Sequence, residues 1–130
     1  MIITNVSELN TLYDKIDRNM FWDILDQIVL QLNNEGVNCS SIDDYHKWDK
    51  LRYESRKFID KYYEEHPCCN MADDLAVSEA TKKESKKLDE YTFYAMIGFL
   101  LTKRYSDEDR KCRQRDILCT ALHRGYKIII

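Results

Sequence analysis

The sequence predicts a mainly α-helical fold: a single-domain bundle of five or six helices around one central apolar helix at residues 89–105. Only 3 glycines and 1 proline are present, too few for the many turns of an all-β fold. Apolar residues recur at helical spacing in several stretches, and residues 89–105 are apolar on nearly all sides. With 130 residues, 44% hydrophobic and 33% charged, the whole chain (1–130) fits one globular domain.

The first two helices are predicted from capping residues and apolar spacing. Ser7 is the expected cap of a short first helix, whose apolar positions begin at Leu9. Asn19 is the expected cap of a second helix that runs to about Asn34 and carries one apolar face. Gly36 follows as a stop signal.

A long third helix is predicted between Ser41 and His66-Pro67. The acidic pair Asp43-Asp44 suits the positive end of a helix, and the proline cannot continue one. The segment that follows, residues 68–88, contains Thr81-Lys-Lys-Glu-Ser-Lys-Lys87, which has no apolar face. It is expected to be either an exposed helix or a mobile connection.

The apolar helix at 89–105 should be buried on most sides. Gly98 in its middle is less favourable than Ala by about 1 kcal/mol, and we expect it where another helix approaches closely. Ser106 and three acidic residues then predict the start of a last helix, which runs to about Arg124 and is closed by Gly125.

The two ends of the chain are β-branched runs outside the helical segments, Met1-Ile-Ile-Thr-Asn-Val6 and Tyr126-Lys-Ile-Ile-Ile130. They predict a short two-stranded ribbon. An isolated ribbon is only marginally stable, so it should lie on the helices or extend across a dimer interface.

Positive charge concentrates in the last predicted helix. From Lys103 onward eight basic residues stand against four acidic ones, although the whole chain has a net charge of −3. The functional interpretation is an anion-binding face for an acidic protein or for nucleic acid, built from Arg110, Lys111, Arg113, Arg115 and Arg124. The structural alternative is a solvated helix surface that docks against the acidic remainder of the chain.

Cysteines and histidines raise the hypothesis of a zinc site, to which residues of the last helix and His66, Cys68 and Cys69 near a chain reversal could contribute ligands. The spacing argues against it. Cys112, Asp116, Cys119 and His123 share one face of the last helix, but ligands spread along a helix cannot all reach one ion, and no CxxC pair is present. No nucleophile is placed with its base, and no phosphate loop occurs. We therefore expect neither an enzyme nor a cofactor.

Aromatic residues are unusually dense on the predicted third helix. Tyr45, Trp48 and Tyr53 belong to a larger set than one core stripe can absorb. Aromatic side chains with a polar atom are enriched at binding hot spots, so these three are predicted anchors for a partner. The alternative is that they lie partly buried at the rim of the core.

A central apolar helix wrapped by amphipathic helices is broadly similar to the viral Bcl-2-like proteins. That family has an Asn-Trp-Gly-Arg motif after its apolar helix, where this chain has Tyr105-Ser-Asp-Glu-Asp109. The resemblance therefore implies a pattern of helices, and no function is carried over from it.

The expected function is that of a non-enzymatic protein-interaction module, as a homodimer or in a larger complex. Residues with A/T-rich codons are abundant, which suggests a viral or phage antagonist of a host defence factor. The alternative is a nucleic-acid-binding regulator that uses the basic last helix. The sequence has no recognisable leader and no run of about 18 apolar residues, so a cytoplasmic protein without a membrane span is expected.

Overall fold

The computed structural model of the protein describes residues 1–65, 71–103 and 107–130. Within these ranges it contains five α-helices, one turn of 3-10 helix and two short strands. In chain order they are β1 (Ile2–Ile3), α1 (Val6–Leu12), the 3-10 turn (Tyr13–Lys15), α2 (Arg18–Asn34), α3 (Ile42–Glu65), α4 (Met71–Lys103), α5 (Asp107–His123) and β2 (Ile128–Ile129). The predicted helical bundle with a terminal ribbon is confirmed.

Both predicted caps of the first two helices were wrong by two residues. Asn5 caps α1, because its Oδ1 accepts the Glu8 N–H at 2.8 Å. Asp17 caps α2, because its Oδ1 accepts the Met20 N–H at 2.9 Å. Ser7 and Asn19 lie inside the helices, since an earlier side chain reaches the free amides first.

Helix α3 begins with a reciprocal cap. The Asp44 N–H donates to Ser41 Oγ at 3.0 Å, and the Ser41 N–H donates to Asp44 Oδ2 at 3.3 Å. The helix continues to Glu65, and the predicted stop at 66–67 lies outside the described residues. Of the two predictions for 68–88, the helix is observed from residue 71 onward, because α4 is continuous through it.

Helices α3 and α4 form an antiparallel hairpin. Trp48 near the start of α3 packs against Tyr94 with ring centroids 4.8 Å apart. Farther along α3, Ser55 Oγ donates to Glu84 Oε1 at 2.5 Å. The later residue of α3 thus contacts the earlier residue of α4, so the two helices run in opposite directions.

The C-terminal half of α4 is the centre of the core, as predicted for the apolar segment 89–105 within the described residues. Phe93 and Ile97 are fully buried. They belong to a cluster to which the other elements contribute, including Phe21, Leu25 and Leu32 from α2, Ile117 and Leu118 from α5, and Ile3 and Ile128 from the strands. The helix begins much earlier than predicted, at Met71.

Gly98 lies where α3 begins to cross α4, which confirms the expected close approach. A Cβ atom at Gly98 would lie 3.1 Å from Tyr45 Cβ and 3.3 Å from both Tyr45 Cα and the Cys39 carbonyl oxygen. Only glycine lets the backbone of α3 come so near.

The two ends of the chain pair with each other inside one molecule. β1 and β2 are antiparallel, with Ile2 opposite Ile129 and Ile3 opposite Ile128. Ile3 and Ile128 face the core, whereas Ile2 and Ile129 are more than half exposed. The ribbon therefore lies on the helices, as the first of its two predicted placements requires.

Helix α5 ends as predicted: Gly125 has a φ of +87°, the left-handed conformation that glycine favours. Its predicted cap, Ser106, lies outside the described residues. No helix in the described ranges has the length and apolar character that crossing a bilayer requires.

Candidate protein-binding groove

An open groove runs along one side of α4. Its first part has a volume of about 260 Å³ and lies between α3, α4 and α5. A second part of about 540 Å³ continues between α4 and α5 and shares Thr92 and Met96 with the first. We call the two parts together the α4 groove. The first part is lined by Tyr45, Asp49, Arg52, Thr92, Ala95, Met96, Phe99 and Arg113.

The floor of the first part is apolar and belongs to α4. Thr92, Met96 and Phe99 are spaced by four and three residues, so they lie on one face of the helix. Each is half-buried. From Thr92 to Phe99 the floor spans about 10 Å at the rise of an α-helix.

The rim of the first part carries two arginines. Arg113 lies with its guanidinium carbon 4.0 Å from the centre of the Phe99 ring, and its Nη1 donates to the Asp109 carbonyl oxygen at 3.2 Å. On the opposite rim, Arg52 Nη2 donates to Asp49 Oδ1 at 2.8 Å. Both guanidinium groups are therefore held beside the apolar floor.

The second part of the groove is of mixed charge. Asp89, Glu90 and Asp116 line it together with Lys86, His123 and Arg124. The first part, where Arg52 and Arg113 stand against Asp49, is therefore the more positive of the two. A ligand that entered the groove would meet different charges at its two ends.

Of the three predicted aromatic anchors, Tyr45 lines the groove. Its ring lies 6.0 Å from the Phe99 ring, and Gly98 fixes the distance of its backbone from α4. Trp48 instead stacks on Tyr91, with ring centroids 6.0 Å apart. It also donates from Nε1 to the Asn38 carbonyl oxygen at 2.8 Å, which places it at the rim of the core.

Tyr53 lies away from the groove. It is 65% exposed, and its helical position is opposite the buried stripe of α3 that includes Ser55 and Ile59. The structure therefore does not bring the three predicted anchors together on one surface.

The predicted basic residues of α5 also separate. Arg110 is buried, and its Nη1 donates to Gln114 Oε1. Lys111 is exposed. Arg115 donates to Asn10 Oδ1 on α1. Since Arg113 faces α4, these four residues do not form one open face.

Arg124, the residue directly after α5, joins three parts of the core. Its guanidinium carbon lies between 5.4 and 5.6 Å from the ring centres of Phe93, Tyr94 and Tyr126. Nε donates to the Tyr126 hydroxyl at 3.2 Å, and Nη2 lies 3.4 Å from Glu35 Oε2. We call this group the Arg124 cluster.

Charges in the Arg124 cluster shift the pKa values of its members. Burial lowers the pKa of Arg124, but hydrogen bonds and the nearby tyrosines outweigh it and raise that pKa overall. Burial and the hydrogen bond to Glu35 raise the pKa of Tyr126 to about 12. At physiological pH the arginine of this cluster is therefore protonated and its tyrosines are neutral.

The described cysteines differ widely in exposure. Cys39 is 1% exposed, and its burial, with the nearby Asp44 carboxylate, raises the pKa of its thiol to about 12. Cys112 is exposed. No three His, Cys, Asp or Glu side chains in the described part of the chain come together as a metal site, and His66, Cys68 and Cys69 lie outside it.

Sequence reasoning missed Met96, Phe99, Asp49 and Arg52 as groove residues. Met96 and Phe99 were predicted as core because the apolar segment shows no free side. The interruption of that segment by Thr92 was the available signal, since Thr92, Met96 and Phe99 share one face.

No protein-family model, no curated protein and no solved structure matches this chain.

Proposed function

We propose that this protein is a non-enzymatic interaction module that binds a short segment of another protein in the α4 groove. One observation supports the proposal above the others: Tyr45, Phe99 and Arg113, from three different helices, meet at an apolar floor. An aromatic and an arginine beside an apolar cleft are the residue types that dominate binding energy at protein interfaces.

The size of the groove suits a segment of a partner, not a whole domain surface. About 10 Å of apolar floor corresponds to two turns of a helix, and an amphipathic helix places apolar side chains on one face at that spacing. A partner with two or three apolar side chains on one face would fill the positions above Thr92, Met96 and Phe99.

The charge at one end of the groove suits an acidic partner. Arg52 and Arg113 each pair with a neighbouring acidic residue on their own helix, and exposed pairs of this kind contribute little stability, about 0.2–1 kcal/mol. A partner carboxylate can therefore compete for these guanidinium groups. Complementary charge of this kind speeds encounter and fixes orientation.

The biological setting that we propose is antagonism of a host factor by a viral or phage protein. It is supported by the A/T-rich codon composition that the sequence implies. Capture of a host segment would prevent that segment from reaching its own partner.

The second hypothesis, a nucleic-acid-binding regulator, depends on the basic residues of α5. Arg110 is buried and Arg113 and Arg115 contact different neighbouring elements, so this hypothesis is less favoured. Phosphate binding would weaken steeply with salt, whereas binding of an apolar segment would not.

The groove is tested by selecting binders from a displayed library of random peptides against the purified chain. We expect enriched peptides to combine apolar residues at helical spacing with acidic residues. Met96→Ala should weaken the best peptide by about tenfold, because Met96 lies in both parts of the floor. Fluorescence anisotropy measures the affinities.

Tyr53→Ala is the matched control, since Tyr53 is exposed but lies away from the groove. It should change the affinity less than about threefold. The proposal would be contradicted if both variants lost peptide affinity equally, or if neither substitution changed the affinity of the enriched peptides.

A further inference from the structure

The outer edge of β1 is open. Met1 and Ile130 exchange backbone hydrogen bonds at 2.8 and 2.9 Å. Residues next to such a hydrogen-bonded pair point their own N–H and C=O groups outward. The N–H and C=O of Ile2 therefore point away from β2, and no described residue hydrogen-bonds to them.

The outer edge of β2 differs, because it is covered. Gln27 on α2 donates from Nε2 to the Ile129 carbonyl oxygen at 3.3 Å. The ribbon lies beside α2 along this edge, where Gln27, Ile28 and Gln31 face Ile129 across a cleft. Among the described residues, nothing pairs with the β1 side of the ribbon, which is left as a template for another strand.

Apolar side chains surround the open edge. Met1 is 68% exposed, and Ile2 and Ile129 are 54% and 55% exposed. Ile2 and Ile129 are cross-strand partners on the outer face of the ribbon. An exposed apolar pair beside an unpaired strand edge favours addition of a further strand.

We propose that β1 pairs with β1 of a second copy of this chain, antiparallel, about a two-fold axis beside Ile2. In this arrangement the N–H of each Ile2 donates to the carbonyl oxygen of the other, which satisfies both outward groups of both copies. The product is a four-stranded sheet in the order β2, β1, β1, β2.

The second copy is the occupant because the edge is short and self-complementary. A two-residue strand offers one pair of outward groups, and a two-fold axis uses that pair completely. The symmetric arrangement also places Ile129, Ile2, Ile2 and Ile129 in one row across the sheet. An unrelated extended segment would gain the same two hydrogen bonds but no matching isoleucines.

The dimer should be weak. The exposed parts of these few side chains amount to much less than the roughly 800 Å² per partner that a stable interface buries. Association should therefore depend on concentration. The edge shares no residue with the α4 groove, so the inference does not rest on the proposed function.

The test is sedimentation velocity on the untagged chain over a wide range of concentration, with wild type and Ile2→Pro compared. Of the backbone hydrogen bonds, proline removes only that of the outward N–H of Ile2, which the ribbon itself does not use, and it also replaces the isoleucine side chain with a smaller ring. Proline is tolerated at the first residue of an edge strand. We expect reversible dimers for wild type and at least about tenfold weaker association for Ile2→Pro.

A second pair of variants distinguishes loss of association from loss of folding. Ile2→Lys places two like charges opposite each other across the axis and should also keep the chain monomeric. Ile42→Lys alters an equally exposed isoleucine on α3 and should dimerise like wild type. A wild type that is monomeric at every concentration, or a dimer that both Ile2 variants retain, would overturn the proposal.

Discussion

At the scale of single residues, several proton-bearing side chains are buried in their neutral forms. Burial raises the pKa of the Cys39 thiol to about 12 and, with the Glu35 hydrogen bond, raises the pKa of Tyr126 to about 12. Burial also raises the pKa values of Tyr13 and Tyr94. In the unfolded chain these groups would return to ordinary values of 9.0 for Cys and 10.0 for Tyr.

The protein should therefore lose stability in alkaline solution. Below about pH 9 these groups are neutral in both states, so their contribution is fully present; between about pH 9 and 12 the unfolded chain ionises first, and stability falls. We expect the melting temperature, followed by circular dichroism, to decline over this interval. In Cys39→Ala the decline should start at higher pH, and a melting temperature that stays constant to about pH 11 would contradict this expectation.

Residue identity predicted the chemistry of the basic segment but not its location. Arg124 and Arg113 were predicted on an exposed basic face, because charged side chains are mostly solvated. In the structure each guanidinium lies on aromatic rings, Phe99 for Arg113 and Phe93, Tyr94 and Tyr126 for Arg124. Such cation-π contacts depend on which helices become neighbours, and helical periodicity does not encode that.

At the scale of elements, the crossing of α3 and α4 depends on Gly98. Alanine there would improve helix propensity by about 1 kcal/mol. Its Cβ, however, would press on backbone atoms of Tyr45 and Cys39 at 3.3 Å, and such overpacking costs about 1–3 kcal/mol. We therefore expect Gly98→Ala to lower the free energy of unfolding by about 1 kcal/mol in urea titrations.

Ser85→Ala provides the control, since Ser85 is an exposed position of the same helix. At Ser85 the substitution changes helix propensity alone, and we expect the free energy of unfolding to rise by about a few tenths of a kcal/mol. If Gly98→Ala were as stabilising as Ser85→Ala, the close approach of α3 would not constrain this position. Gly98→Ala should also disturb the α4 groove, because it displaces Tyr45.

The helices themselves were largely predictable, and the exceptions have physical reasons. Apolar spacing located α2, α3 and the C-terminal half of α4, whereas start and stop signals located α5. The N-terminal half of α4 was ambiguous because periodicity detects apolar contacts only. Among the described side chains of this half, Glu84 accepts from Ser55 and Thr81 accepts from the Tyr63 hydroxyl at 3.4 Å. Such polar contacts leave no apolar face in residues 81–87.

At the scale of the whole molecule, the sequence predicted a central helix but not its uncovered side. α2, α5 and the ribbon cover the rest of the core half of α4, and the side between α3 and α5 is left as the groove. Which side of α4 stays uncovered depends on which helices become its neighbours, and long-range contacts determine those neighbours. The ribbon, by contrast, followed directly from the β-branched ends.

The same arrangement separates two surfaces. The α4 groove presents an apolar floor with arginines at one end, and the β1 edge presents unpaired backbone groups beside isoleucines. A dimer formed through the ribbon would leave both grooves to their own ligands unless the copies obstruct each other. Two linked grooves would bind a bivalent partner more tightly than one groove alone.

The most direct measurement of the central claim is a titration of the isotope-labelled protein with an enriched groove peptide, followed by amide chemical shifts in NMR spectra. We expect the largest changes on Thr92, Met96 and Phe99 of α4 and on Arg113 of α5, with Tyr53 and the ribbon little affected. Changes concentrated on the outer face of α3 or on the ribbon, with the α4 signals unmoved, would contradict it.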